Sequence, residues 1–122
     1  MTKNNVLRER NFAFALKVVQ LYKDFSGNRK EYVLSKQLVR SGTSIGALIR
    51  ESENAASTKD FLSKLTIALK EADETQYWLE LLFQAGYISI EEFQLLHHLC
   101  DELISMLVAS VKTLKRRLIS PV

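Results

Sequence analysis

The chain has 122 residues, 47% of them hydrophobic and 25% charged, with a formal net charge of +3. That length suits one domain (residues 1–122) with room for a core, and the balance excludes a disordered chain. Four glycines, one proline and one cysteine leave little turn material for an all-β fold and exclude an internal disulfide framework.

The lone Cys100 fits a reducing compartment. The apolar run near the N-terminus is interrupted by Lys17 and carries no small-residue cleavage site, so it does not read as a secretory signal. No charge-free stretch approaches the roughly 20 residues of a membrane span. The expectation is a soluble cytoplasmic protein with no membrane contact.

Helical periodicity starts at about residue 6. Phe12, Ala15, Leu16, Val19 and Tyr22 form one apolar stripe, and Phe14, Val18, Leu21 and Phe25 form another on nearly the opposite side. Together they cover an arc of about 220°, twice the stripe of an ordinary surface helix. The spacing predicts a first helix over residues 6–25, covered on two sides. Gly27 or Asn28 then supplies the left-handed residue that closes it.

A second helix is predicted over residues 31–55, with Leu34, Leu38, Ser41, Ile45, Leu48 and Ser52 as its core stripe and Ile49 at the margin. Gly42 and Gly46 lie in its middle. Each costs about 1 kcal/mol relative to alanine, which close packing by a neighbouring element would offset. Beside the core stripe runs a polar line of Gln37, Arg40, Ser44 and Glu51. It reads either as a solvated flank or as a seam bonded to a neighbouring helix or subunit.

The third helix opens at Ser57, an N-cap, with Asp60 in the positive first turn, and runs over residues 58–86. Phe61, Leu65, Ala68, Ala72, Leu79 and Leu82 face inward, while Ile67, Trp78, Leu81 and Ala85 make a second stripe interleaved with Glu71 and Glu74. Gly86 ends it. Ser89 and Glu92 form a capping box for the fourth helix, and Ile88 can staple against Phe93. Phe93, Leu96, Cys100, Leu103, Leu107, Val111, Leu114 and Leu118 supply about seven turns of core, and Pro121 lies beyond the end. Short connections make neighbours antiparallel. The predicted fold is an all-α, up-down-up-down antiparallel four-helix bundle.

The residues argue against catalysis. His97 and Asp101, like His98 and Glu102, have helical ligand spacing, but the two pairs point about 100° apart. Cys100 falls on the core stripe, where a buried, inert thiol is expected. A di-iron bundle needs two Glu-x-x-His pairs, whereas Gln94 stands three residues before His97. Phosphate-cradling and nucleophile-elbow glycine motifs are missing. No catalytic residue, metal or cofactor is assigned.

Charge is unevenly spread. Residues 1–50 carry a net +7, residues 51–102 a net −8, and the tail adds +4 through Lys112, Lys115, Arg116 and Arg117. Such asymmetry suits two complementary surfaces on one subunit or a nucleic-acid surface. Cations at a helix C-terminus also complement its dipole.

Several stretches together resemble a known family: QLVRSGTSIGA at residues 37–47, Glu51, KDF at 59–61, and IALKEADET at 67–75 running into Tyr77, Trp78 and Leu79. The chain is similar over nearly its whole length to the bacterial four-helix-bundle proteins named for the intervening sequences of 23S ribosomal RNA. These include the accessory proteins of diversity-generating retroelements. Two positions depart from the family pattern: Leu48 stands where an asparagine is usual, and Ser52 where a glycine is frequent. The resemblance implies a closed bundle assembling into a ring, commonly a homopentamer, without enzymatic activity. Its accessory branch implies contact with nucleic acid and a reverse transcriptase.

The resulting expectation is a self-associating scaffold or adaptor. Its interface is expected at Phe14, Val18, Leu21, Ile67, Trp78 and Leu81, and its polar seam at Gln37, Arg40, Ser44, Glu51, Glu71 and Glu74. The alternative is a nucleic-acid-binding accessory protein using Lys36, Arg50, Lys112, Lys115, Arg116 and Arg117.

Overall fold

The computed structural model describes residues 3–119, with side chains from Val6 onward. Four helices follow one another: α1 (Lys3–Asp24), α2 (Leu34–Glu53), α3 (Thr58–Gln84) and α4 (Ile90–Ile119). Each packs on its neighbours in sequence, and α1 closes the circuit on α4. With such short connections the path is up-down-up-down, as predicted.

The core follows the heptad-like rows of the sequence. In α1 the inward row is Leu7, Asn11, Phe14, Val18, Leu21 and Phe25, which persists along the whole helix and continues past its end. The competing row through Phe12 and Leu16 is shorter and stays at the surface. In α2, Ile49 is fully in the core and Leu48 only half-buried, an exchange of one position from the predicted stripe. Leu65, Ala68, Ala72, Leu79 and Leu82 of α3 meet Leu96, Cys100, Leu103, Leu107, Val111 and Leu114 of α4 in one continuous cluster. Leu118 lies exposed near the end of α4 rather than in that cluster. Pro121 falls outside the described residues.

Caps set the helix boundaries. The Asp60 N–H donates to Ser57 Oγ at 3.0 Å, and the Ala56 N–H donates to the Asp60 carboxylate at 3.2 Å. The capping box is formed in both directions: Glu92 N–H to Ser89 Oγ at 3.1 Å and Ser89 N–H to Glu92 Oε1 at 2.9 Å. Ile88 and Phe93 both join the core cluster beside this cap, and Gly86 takes the left-handed conformation after α3.

The α1–α2 connection differs from the prediction. α1 runs directly into a π-turn over Phe25–Arg29, and the left-handed residue is Lys30 (φ 55°), not Gly27 or Asn28. The reason is Arg29. Its guanidinium pairs with Asp24, grips both Glu92 oxygens at 3.0 and 2.6 Å, and donates to the Tyr87 carbonyl at 2.8 Å. These bonds hold the chain wound past the glycine. α2 then starts at Leu34 rather than at 31, because the buried Glu31 carboxylate caps it. It accepts the N–H groups of Val33, Leu34 and Ser35 at 3.1, 2.8 and 2.8 Å.

Both carboxylates are held below their ordinary range. The Arg29 guanidinium is the chief cause for Glu92. Burial opposes ionisation of Glu31, but the backbone N–H bonds outweigh it. A depressed carboxylate stabilises the fold above its unfolded value of 4.5, and that contribution disappears as pH falls through the lower folded value. Glu92→Gln should therefore lower stability near neutral pH by about 1 kcal/mol, discounted for partial exposure, and flatten the acid limb of unfolding. Chemical denaturation at stepped pH measures both.

Candidate functional site: an apolar groove between the first two helices

The two mid-helix glycines explain how α1 meets α2. A Cβ on Gly42 would lie 3.1 Å from a Val18 methyl, and one on Gly46 would collide with the Asn11 carboxamide. Removing both side chains lets α1 lie close on α2 at these two points. Just outside this contact, the surface row of α1 and the adjoining row of α2 enclose an open groove of about 360 Å³. Phe12, Ala15, Leu16 and Val19 line one wall, and Ala47 and Ile49 belong to the other. Phe12 is 60% exposed and Leu16 49%.

Polar groups sit at the groove's edges and base. Arg8 and Arg50 flank it; Arg8 pairs with Glu53 at 3.5 Å, while the Arg50 guanidinium carbon lies 5.7 Å from the Phe12 ring centroid. Arg50 forms no ion pair among the described residues. Asn11 lines the base, 1% exposed, with neither amide atom hydrogen-bonded among the described residues. An unbonded buried amide costs about 1–3 kcal/mol.

The structure relocates half of the expected interface. Phe14, Val18 and Leu21 belong to the protomer's own core, so they are not available to another copy. The longer inward row of α1 claimed them, and the surface stripe is the one through Phe12 and Leu16. On α3, Ile67 is exposed and Trp78 and Leu81 are half-buried, with Tyr77 exposed beside them.

The polar line is a seam inside the protomer. The Arg40 guanidinium donates three ways: to Gln37 at 3.1 Å, to Glu71 at 3.4 Å and to Glu74. Glu74 also accepts the Trp78 indole N–H at 3.2 Å. Beneath it the buried hydroxyls of Ser41 and Thr75 lie 3.0 Å apart. Gln37, Arg40, Glu71 and Glu74 thus tie α2 to α3. Ser44 instead donates to the Ser41 carbonyl of its own helix, and Glu51 points to solvent outside the seam.

The expected basic residues do not form one surface. Lys36 and Arg50 lie 14 positions apart on α2, about 21 Å. Arg50 shares an end of the bundle with Lys112, Lys115, Arg116 and Arg117, because α2 and α4 run in the same direction. All four of those cations are exposed.

The remaining reactive side chains are engaged or sealed. His97 lies between Asp101 at 3.4 Å and Glu80 at 3.7 Å, and His98 faces Glu102 at 3.2 Å. Burial, aided by Asp101 and Asp73, pushes the Cys100 thiol up to about 12, and its sulfur lies 3.4 Å from the Ala72 carbonyl. Among the described residues, no three His, Cys, Asp or Glu side chains gather as a metal set. None of the described helices is long and apolar enough to cross a membrane.

The fold and sequence agree with one family. A profile of the 23S rRNA-intervening sequence protein family matches residues 3–109. The chain belongs to that family. A protein of unknown function from the S23 ribosomal protein family of Bacteroides thetaiotaomicron has a crystal structure similar to this one, with a TM-score of 0.89 and 48% identity. The match covers 91% of this chain and 99% of the other. No curated protein matches. Within the matched residues, the QLVRSGTSIGA stretch at 37–47 includes the glycines that admit α1 and the arginine that ties α2 to α3.

Asn11 and Phe12 were not singled out together from sequence. Asn11 nevertheless stands on the core row between Leu7 and Phe14, a polar residue at an inward position. Gly46→Val should destabilise the protein by about 1–3 kcal/mol, because crowding against Asn11 outweighs the gain in helix propensity. Thermal unfolding of the purified variant checks this.

Proposed function

We propose that this protein is a non-enzymatic, self-associating helical bundle acting as an oligomeric scaffold or adaptor. The observation that carries the reading is the α1–α2 groove, where Phe12 and Leu16 lie exposed along one wall above a buried Asn11 that is unbonded among the described residues. Monomeric proteins rarely leave a contiguous apolar patch of this kind uncovered, and such patches mark interaction sites. The opposite charges of the two halves of the chain favour contact between unlike surfaces, which closes into a ring when the rotation allows. Family resemblance suggests five subunits. The burial of Cys100, which pushes its thiol pKa up, argues against that sulfur serving as a nucleophile.

Light scattering coupled to size exclusion tests the reading. The wild type should run as a discrete oligomer at micromolar concentration, and Leu16→Glu should run as a folded monomer. A wild-type monomer at every salt concentration overturns it.

One observation favours nucleic-acid contact as a second reading. Lys112, Lys115, Arg116 and Arg117 are all exposed at one end of the bundle, and among the described residues none forms an ion pair. On this reading, affinity for labelled single-stranded RNA or DNA falls steeply with salt, and Lys115→Glu with Arg116→Glu lowers both affinity and slope. Absence of binding at low salt removes it.

A further inference from the structure

We propose that the α1–α2 groove binds an anionic amphiphile, an unbranched acyl chain lying in the apolar trough with its carboxylate held by Arg50. The inference goes beyond self-association and does not rest on it. A slim chain lies in the trough between the helices, beneath any second copy seated on Phe12 and Leu16.

The trough sets the form of the tail. It runs along α1 from Arg8 past Phe12 and Leu16 to Val19. From position 8 to position 19 the helix rises about 16 Å, the length of an extended chain of about a dozen carbons. Its volume of about 360 Å³ lies within the range of small-molecule sites, and its lining is mostly apolar. Ala15, Gly46 and Ala47 put little bulk into it, so it stays open along its length. The amide atoms of Asn11 are sealed from solvent below and take no part.

The charges at one end set the head. Two guanidinium groups, those of Arg8 and Arg50, line the trough, and no carboxylate does. Glu9 borders only the open recess beside Phe12. Arg8 pairs with Glu53 at 3.5 Å, but Arg50 forms no ion pair among the described residues and lies over the Phe12 ring. A guanidinium is a planar fork that takes both oxygens of a carboxylate. Its attraction to the ring face holds that fork at the mouth of the trough. A cationic head would meet like charge there, and a neutral one would leave the fork without a partner. Apolar walls and an unpaired cation together call for a molecule that is greasy along its length and anionic at one end.

Isothermal titration of the full chain with saturated fatty acids, each below its micelle concentration, tests this. Dodecanoate should bind at one site per protomer, about ten-fold more tightly than octanoate, because each methylene buried on one side adds about half of the full transfer gain. Hexadecanoate should gain little more, since its tail outruns the trough. Arg50→Gln should weaken dodecanoate binding about ten-fold, and Arg50→Lys should recover part of that loss. Ala47→Trp, which fills the trough, should abolish binding. Circular dichroism verifies folding; if Ala47→Trp fails to fold, the chain-length series and the Arg50 variants decide alone. Absence of dodecanoate binding overturns the inference, as does equal binding of dodecyltrimethylammonium or an affinity that climbs undiminished to hexadecanoate. Binding to phosphatidylglycerol vesicles with none to free dodecanoate also overturns it, in favour of a membrane surface. A wild-type monomer overturns self-association and leaves this titration to decide on its own.

Discussion

The close approach of α1 to α2 is the constraint from which the rest of the surface follows. Val18 packs where Gly42 has no side chain, and Asn11 where Gly46 has none. A Cβ at either position would push α1 outward, and the inward row of Phe14, Val18 and Phe25 would lose its depth. Glycines are poor helix residues, so their placement one turn apart in the middle of α2 is a local cost offset by packing between helices. The same approach turns Phe12 and Leu16 outward beside Ala47, and so creates the groove. Core and candidate site are two sides of one contact.

The other helix pairs are fastened by polar groups whose charges are mostly neutralised within the protomer. Arg40 joins α2 to α3 through Glu71 and Glu74, and Arg29 joins the α1 terminus to α4 through Glu92. Gln76 donates to Asp101 at 2.6 Å between α3 and α4, and Arg10 pairs with Glu102 at 2.7 Å between α1 and α4. These contacts are partly exposed, so each contributes modestly to stability. Their larger effect is on register, since each requires two helices to stand at one relative height. Among the described residues, Arg50, Asp73 and the basic end of α4 form no ion pair.

Much of the fold was legible because it rests on periodicity and caps. The rows of α3 and α4, the Ser57 cap, the Ser89–Glu92 box and the Gly86 terminus are all encoded within a few residues of where they act. The link from Arg40 to the acidic pair on α3 was also foreseeable, as side chains of opposite charge on facing helices. The end of α1 was not. A local reading stops the helix at Gly27, but the decisive bonds come from Glu92 and Tyr87, about sixty residues away in sequence. The choice of inward face on α1 failed for a related reason. Two apolar stripes on one helix look alike in sequence, and only the partner helix decides between them. Asn11 shows what could have resolved it: the row it occupies runs unbroken from Leu7 to Phe25, longer than its rival.

Cys100 has a practical consequence that follows from its depth. Its thiol faces the Ala72 carbonyl between α3 and α4, with no accessible surface and its proton tightly retained. A maleimide or disulfide reagent can reach that sulfur only when the two helices part. The rate of alkylation in native buffer is therefore a clock for their separation, built into the chain at a single atom and free of competing signals. Comparing that clock across protein concentrations would show whether company on the outside slows breathing at the centre.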